Sequence, residues 1–218
     1  MHKRGIDVIL AGTKPNVEYL SDFEWMRWFD KENFLTEDGK NYAAAFVGLP
    51  QDQTTGPFYV APSTQTGYPE NYNIWIDDVR YWGPVFFVAG AEEQMKTADN
   101  PIARVAQVLR EKELDKGRIG VEGRHIEMQF AEELREFLPM ATLVDAEEVL
   151  WELRMIKSEE EIGRIRRASE ITSDVINSIY SGAAYEGMTE WDLERYLGIA
   201  FAERDSRHMW TDVGFGPK

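Results

Sequence analysis

Apolar and polar positions alternate in short runs through the first two thirds of the chain, and these runs predict strands. GIDVILAG, IWIDDV, RIGVEG and ATLVDA each combine β-branched residues with flanking turn residues. The polar loop QDQTTG between YAAAFVGLP and PFYVAP predicts a β-hairpin, and TKPN predicts a turn after the first strand. NPIARVAQVLREKELDKG and IEMQFAEELREFLP repeat apolar residues at helical spacing. These elements together predict an α/β domain with a mixed β-sheet flanked by helices.

Helical periodicity replaces this pattern after residue 153. Ser158 and Glu161 have the spacing of a capping box, which marks the start of a helix. Thr189 and Asp192 have the same spacing and predict a second helix that ends near Ala202. The change predicts one domain at residues 1–153 and the start of another at residues 154–218. Apolar residues follow the first cap at every third or fourth position: Ile162, Ile165, Ala168, Ile171, Val175, Ile176 and Ile179.

Charge and composition narrow the range of partners. The 218 residues include 39 acidic and 24 basic side chains, which gives a net charge of −15. No basic patch is present that could neutralise phosphates, so neither nucleic acid nor a membrane is expected as a partner. The chain has no cysteine, which excludes disulfides and cysteine nucleophiles and fits a reducing compartment. No apolar run approaches the length of a membrane span, and we expect a cytoplasmic protein.

Residue types that carry out catalysis are sparse. His2, His125 and His208 are the only histidines, they lie far apart, and no H-E-x-x-H motif is present. The adjacent Asp77 and Asp78 would point to opposite faces of a strand, which disfavours an acid–base pair. The sequence therefore predicts no catalytic residue and no metal ligand within this chain.

Several segments, taken in order, resemble the creatinase/aminopeptidase P/prolidase family. GIDVILAGTKPNVEYLSDF is similar to the family's opening strand and its N-x-x-Y-L-x-x-F segment, and RIGVEG and LVDA are similar to its last N-domain strands. LRMIKSEEEIGRIRRASEI resembles the join between the two domains, and GMTE resembles the start of the next helix. The resemblance implies a creatinase-type, ribonuclease H-like N-terminal domain at residues 1–153. Residues 154–218 would then be the first helices of an incomplete α+β pita-bread domain.

The resemblance also implies an activity for the intact protein. Peptidases of the family bind two metal ions through two Asp, one His and two Glu, and these ligands lie beyond the position that matches DVGFGPK. We therefore expect the N-terminal portion of a Xaa-Pro dipeptidase or aminopeptidase, a fragment that holds no cofactor and is inactive alone. The intact metallopeptidase would be a cytoplasmic homodimer that hydrolyses small peptides with two divalent ions (Mn, Zn or Co).

Five residues are candidates for the substrate rim or the dimer interface. In the resembled family, the N-terminal domain of one subunit can lean over the active site of its partner. Trp25 and Trp28 belong to an aromatic segment that would either line such an interface or pack a loop onto its own sheet. Arg80 and Tyr81 are weaker candidates. His208 would lie near the pocket mouth of a complete catalytic domain, or would be an ordinary surface histidine.

Two other functions remain open for the same family. Creatinase-like relatives and other metal-independent pita-bread hydrolases or lyases act on small guanidino or related substrates. Other relatives have lost the ligands and bind a protein partner, and an acidic surface would suit a basic partner.

Overall fold

A computed structural model describes residues 1–23, 33–35, 41–43, 45–67, 71, 74–83, 100–125, 128–208 and 211–215. The chain divides into two compact units, a first unit at residues 1–153 and a second unit at residues 154–218. The described part of the chain contains no helix that is both long enough and apolar enough to cross a membrane.

The first unit alternates strands and helices. A separate antiparallel pair is formed by β2 and β3. Short 3-10 turns occupy His2–Arg4, Gln53–Thr55 and Ser63–Gln65. The elements in chain order are β1 (Val8–Ala11), α1 (Lys14–Ser21), β2 (Asn33–Leu35), β3 (Asn41–Ala43), β4 (Phe46–Pro50), β5 (Phe58–Pro62), β6 (Asp78–Trp82), α2 (Pro101–Glu111), β7 (Arg118–Val121), α3 (Met128–Phe137), β8 (Thr142–Asp145) and α4 (Glu147–Met155).

Six of these strands form one mixed sheet in the order β6-β5-β4-β1-β7-β8. Strand β4 is antiparallel to both of its neighbours, β1 and β5, while the remaining neighbours pair in parallel. The hairpin predicted from the QDQTTG loop is confirmed as β4 and β5. The carboxyl ends of β1, β7 and β8 lie at the same end of the sheet because these strands are parallel.

The core of the first unit lies on both faces of this sheet. Along β1, Val8 and Leu10 pack into one apolar cluster and Ile9 and Ala11 into the other, as the alternation of a strand requires. One cluster is completed by α1 and α4, and the other by α2 and α3. The predicted α/β fold, a mixed sheet flanked by helices, is therefore confirmed.

Gly48 is the place where the core leaves no room for a side chain. It faces Phe58 across the β4–β5 ladder, and a Cβ atom here would lie 2.1 Å from the Phe58 ring. The ring itself is fully buried. A glycine inside a strand therefore marks a close approach at this position.

Local predictions were wrong in three places. TKPN does not form a turn, because Thr13 precedes the first turn of α1 and Pro15 occupies that turn, where its missing N–H costs nothing. The strand predicted at IWIDDV begins only at Asp78, so Asp77 lies outside it. Helix α2 ends at Glu111 rather than near Gly117, since residue 113 takes a left-handed conformation with φ 57°.

The second unit contains two capped helices, α5 (Glu159–Ser178) and α6 (Glu190–Ala202). Both predicted capping boxes are confirmed, with the Ser158 and Thr189 hydroxyls accepting from the third helical N–H. A one-turn π-helix at Ile179–Ala183 ends α5. The predicted apolar face of α5 is only partly buried, since Ile165 is 53% exposed. The small core of this unit consists of Val175, Leu193, Leu197 and Ala200.

Candidate functional site

A buried carboxylate joins the ends of the parallel strands β1 and β7. Glu122 follows β7 directly and is 4% exposed. It accepts hydrogen bonds from the backbone N–H groups of Gly12 at 2.6 Å and Thr13 at 2.9 Å. The Thr13 hydroxyl and the Asn16 side-chain amide, the latter at 2.5 Å, also donate to it. Glu122 thus binds the backbone N–H groups just before α1, including that of the N-cap residue Thr13, and one side chain in the first turn of α1.

A second group of carboxylates lies at the carboxyl end of β8, where Asp145 is the last residue of the strand. Asp145 Oδ1 accepts from the N–H of Glu147 at 2.9 Å and from that of Gly123 at 3.3 Å. Glu147 is itself buried, and its Oε1 accepts from the Trp151 indole at 3.2 Å. Its Oε2 has no hydrogen-bond partner in the described part of the chain, and His125 Nε2 lies 3.7 Å from Oε1.

Metal ligation is not supported by these side chains. Within the described ranges, no three His, Asp or Glu side chains come together in a group that could hold a metal ion. These residues do not fit the two divalent ions that the family resemblance implies. We therefore assign no metal chemistry to them.

Arg80 lies in a network of ion pairs on β6, at one edge of the six-stranded sheet. Asp78 and Arg80 share a face of the strand and are hydrogen-bonded through Arg80 Nε. Arg80 Nη1 lies 3.3 Å from Glu111 Oε2, and Lys112 Nζ lies 2.9 Å from Asp78 Oδ2. Lys112 also donates to the carbonyl of Thr55. The network therefore ties the edge strand to the end of α2.

The same network sets the ionisation of Asp78. Burial alone would raise the pKa of this carboxyl, but the hydrogen bonds and positive charges of Arg80 and Lys112 outweigh burial and lower the pKa below 3.8. The hydrogen bond to Asp78 also raises the pKa of Arg80. Asp78 is thus a structural carboxylate that stays ionised at neutral pH.

Asp78→Asn is expected to lower the free energy of unfolding at pH 7 by about 1–2 kcal/mol, because Arg80 and Lys112 lose a charged acceptor in a partly solvated site. The folded pKa of Asp78 lies below its unfolded value, so its ionic contribution is complete well above the ordinary value of 3.8 and is lost as the pH falls through the folded pKa. Urea unfolding of both proteins from pH 7 to pH 3 measures this difference. A difference that grows as the pH falls would contradict this assignment.

The other candidate residues lie apart from Arg80. Tyr81 belongs to the opposite face of β6, where it packs beside the cluster of α1 and α4, and its hydroxyl accepts from the N–H of Gly67 at 3.3 Å. His208 belongs to the second unit, where its ring stacks on Phe201 with centroids 5.6 Å apart and its Nε2 is hydrogen-bonded to the Thr211 hydroxyl. Trp25 and Trp28 lie outside the described residues.

Sequence reasoning missed Glu122, Glu147 and Arg104, all of which are buried. One available signal was the glutamate that follows a predicted parallel strand in RIGVEG. Because the carboxyl ends of parallel strands lie at the same end of the sheet, such a carboxylate can reach the turn after a neighbouring strand. Arg104 stands between apolar positions of α2, and its burial depends on tertiary packing.

Comparison with known proteins identifies the family. The sequence profile described as the Creatinase/Prolidase N-terminal domain matches residues 1–156. This chain belongs to that family. The resemblance inferred from the sequence segments is therefore confirmed.

Individual relatives agree with this assignment. The chain is 27% identical over 193 residues to the creatinase of Bacillus sp. (strain B-0618), covering 88% of this chain and 40% of the relative. It is 25% identical over 208 residues to YkvY of Bacillus subtilis (strain 168), which is named as a dipeptidase, covering 94% and 49%. The structure of the Xaa-Pro dipeptidase from Bacillus anthracis shares the fold, with a TM-score of 0.64 and 15% identity over 93% of this chain and 46% of that one. The chain thus spans about half the length of the relatives that it matches.

Proposed function

We propose that this chain is the N-terminal portion of a Xaa-Pro dipeptidase- or aminopeptidase-type hydrolase. Residues 1–153 would be the creatinase-type N-terminal domain and residues 154–218 the start of the pita-bread catalytic domain. The observation that carries this proposal is the match of an N-terminal-domain profile to residues 1–156. The shared fold with a Xaa-Pro dipeptidase over 93% of the chain supports it.

The role of this chain in the intact protein would be dimerisation and control of substrate access. The intact protein would be a cytoplasmic homodimer that hydrolyses small peptides with two divalent ions (Mn, Zn or Co), and residues 1–218 alone would be inactive. Arg80 and Tyr81 on the edge strand β6 would contribute to the substrate rim or the dimer interface, as would Trp25, Trp28 and His208. Arg80 suits such a position because two carboxylates hold its guanidinium in one orientation.

Trp28→Ala in the intact protein is expected to raise KM for a Xaa-Pro dipeptide about tenfold or to shift the dimer toward monomer, since a buried interface tryptophan contributes about 1–2 kcal/mol or more. Steady-state kinetics and sedimentation measure the two effects. Trp75→Ala is the control for removal of a tryptophan from the first unit, where Trp75 is 54% exposed and its indole donates to the Leu20 carbonyl at 2.9 Å. Unchanged KM and unchanged mass for Trp28→Ala would remove Trp28 from the proposal.

A creatinase-like activity is the second candidate. It is favoured by the 27% identity to a protein named creatinase over 88% of this chain. The two candidates differ in substrate, since one acts on prolyl dipeptides and the other on a small guanidino compound.

A further inference from the structure

Arg104 is a buried cation that forms no ion pair with a carboxylate of the described residues. It lies in the second turn of α2 and is 7% exposed. Its Nη1 donates to Gln107 Oε1 at 2.7 Å, while its Nε has no hydrogen-bond partner within the described residues. None of the ion pairs found among those residues involves Arg104. A guanidinium removed from water needs a paired counter-charge or a full set of acceptors, and the described residues provide Arg104 with neither in direct contact.

A chain of hydrogen bonds links Arg104 to the network on β6. Gln107 accepts from Arg104 and donates from its Nε2 to Glu111 Oε1 at 2.9 Å. Glu111 in turn pairs with Arg80, which pairs with Asp78. With Lys112, the network contains three cations and two carboxylates. Among the described residues the network thus has one positive charge in excess, and its most buried cation, Arg104, has no direct ion pair.

The surrounding charges do not offset the burial of Arg104. Burial lowers the pKa of Arg104 and the positive charge of Arg80 lowers it further, while the carboxylates of Glu111 and Asp78 raise it only in part. A methionine of similar length would fill the same space without a charge to desolvate. A guanidinium here is therefore better explained by a negative group that it receives than by a contribution to the core.

We propose that Arg104 and Arg80 form a binding site for an oxyanion, either a carboxylate or a phosphate group, between β6 and α2. A guanidinium suits such a ligand because its planar donors match the oxygens of both groups. The Arg80 side chain is 34% exposed and would meet the ligand first, while Arg104 would supply the unused Nε donor from the interior. This site would lie within the first unit, and it does not rest on the proposed peptidase function.

Arg104→Met provides the test, with Lys116→Gln as a control that removes one charge from an exposed position in the same unit. Sodium phosphate and sodium acetate are titrated into the 218-residue chain at pH 7, with sodium chloride holding the ionic strength constant. Calorimetry is expected to show saturable binding of one of the two anions. We expect Arg104→Met to weaken it by about tenfold or more and Lys116→Gln to leave it within about twofold. The preferred anion then distinguishes a phosphate ligand from a carboxylate ligand.

Thermal unfolding separates a ligand-binding arginine from a structural one. In chloride, Arg104→Met is expected to melt at or above the temperature of the parent protein, because an unpaired buried charge is removed. In saturating anion, the parent is expected to melt higher than the variant. A variant that melts well below the parent in chloride, with equal anion-dependent shifts in both, would make Arg104 structural and overturn the proposal.

Arg80→Gln is a second variant that tests the proposal even if Arg104→Met does not fold. Because Arg80 is partly exposed, its loss is expected to leave the fold intact and to weaken anion binding at least about fivefold. Unchanged binding in Arg80→Gln would overturn the proposal. The absence of saturable binding of both anions by the parent protein would also overturn it.

Discussion

Glu122→Ala is expected to lower the free energy of unfolding of the first unit by about 3–5 kcal/mol. The carboxylate accepts from two backbone N–H groups, one hydroxyl and one amide, and it is 4% exposed. Alanine would leave these donors without an acceptor, and each buried unsatisfied donor costs about 1–3 kcal/mol, partly offset by water that enters. The variant also loses the negative charge at the N-terminus of α1.

Glu122→Gln is the informative companion variant. Its amide oxygen can face the N–H groups of Gly12 and Thr13, which both donate to Oε2 of the glutamate. Its NH₂ group can then donate to the Thr13 hydroxyl and to the Asn16 amide oxygen after both have turned. We expect a loss of about 1–2 kcal/mol, clearly smaller than that for alanine.

Urea unfolding followed by circular dichroism measures both variants, and the exposed Glu136→Ala serves as the control. The control is expected to stay within about 0.5 kcal/mol of the parent protein. If Glu122→Ala also stayed within this range, the carboxylate would not be what fixes the turn between β1 and α1.

Parts of the fold could be predicted where the residues that interact are close in sequence, and the contacts of Glu122 show where they are not. The caps of α5 and α6 are local, since Ser158 and Glu161 lie three residues apart, and the sequence predicts them correctly. Helix α1 was missed because the carboxylate that binds the turn at its start, Glu122, lies more than 100 residues away in the sequence. Its eight residues are too few for helical periodicity to be clear.

The candidate site, too, could be predicted only where it depends on residues close in sequence. The segment DDVRYW suggested Arg80 and Tyr81 as candidates, and the structure places their side chains on opposite faces of β6. The partners that restrain Arg80 could not be predicted, because Glu111 and Lys112 reach it from the end of α2. Arg104 was missed because its burial arises only when α2 packs against the sheet, which a helical pattern of apolar residues does not reveal.

Hydrolysis of a Xaa-Pro dipeptide by the protein expressed from its complete gene is the second large effect that we expect. If the proposed function is right, activity toward such a dipeptide should fall at least about 100-fold on removal of divalent metal by a chelator, since metal-activated water drives this type of hydrolysis. One of Mn²⁺, Zn²⁺ or Co²⁺ should restore it. Residues 1–218 alone, assayed beside the complete protein, should show no hydrolysis with or without metal.

The most direct test of the proposed function is therefore a side-by-side assay of the complete protein on Ala-Pro and on creatine, with metal and with chelator. We predict metal-dependent release of proline from Ala-Pro and no turnover of creatine. Turnover of creatine that survives the chelator, without hydrolysis of Ala-Pro, would contradict the peptidase assignment and establish the creatinase-like alternative.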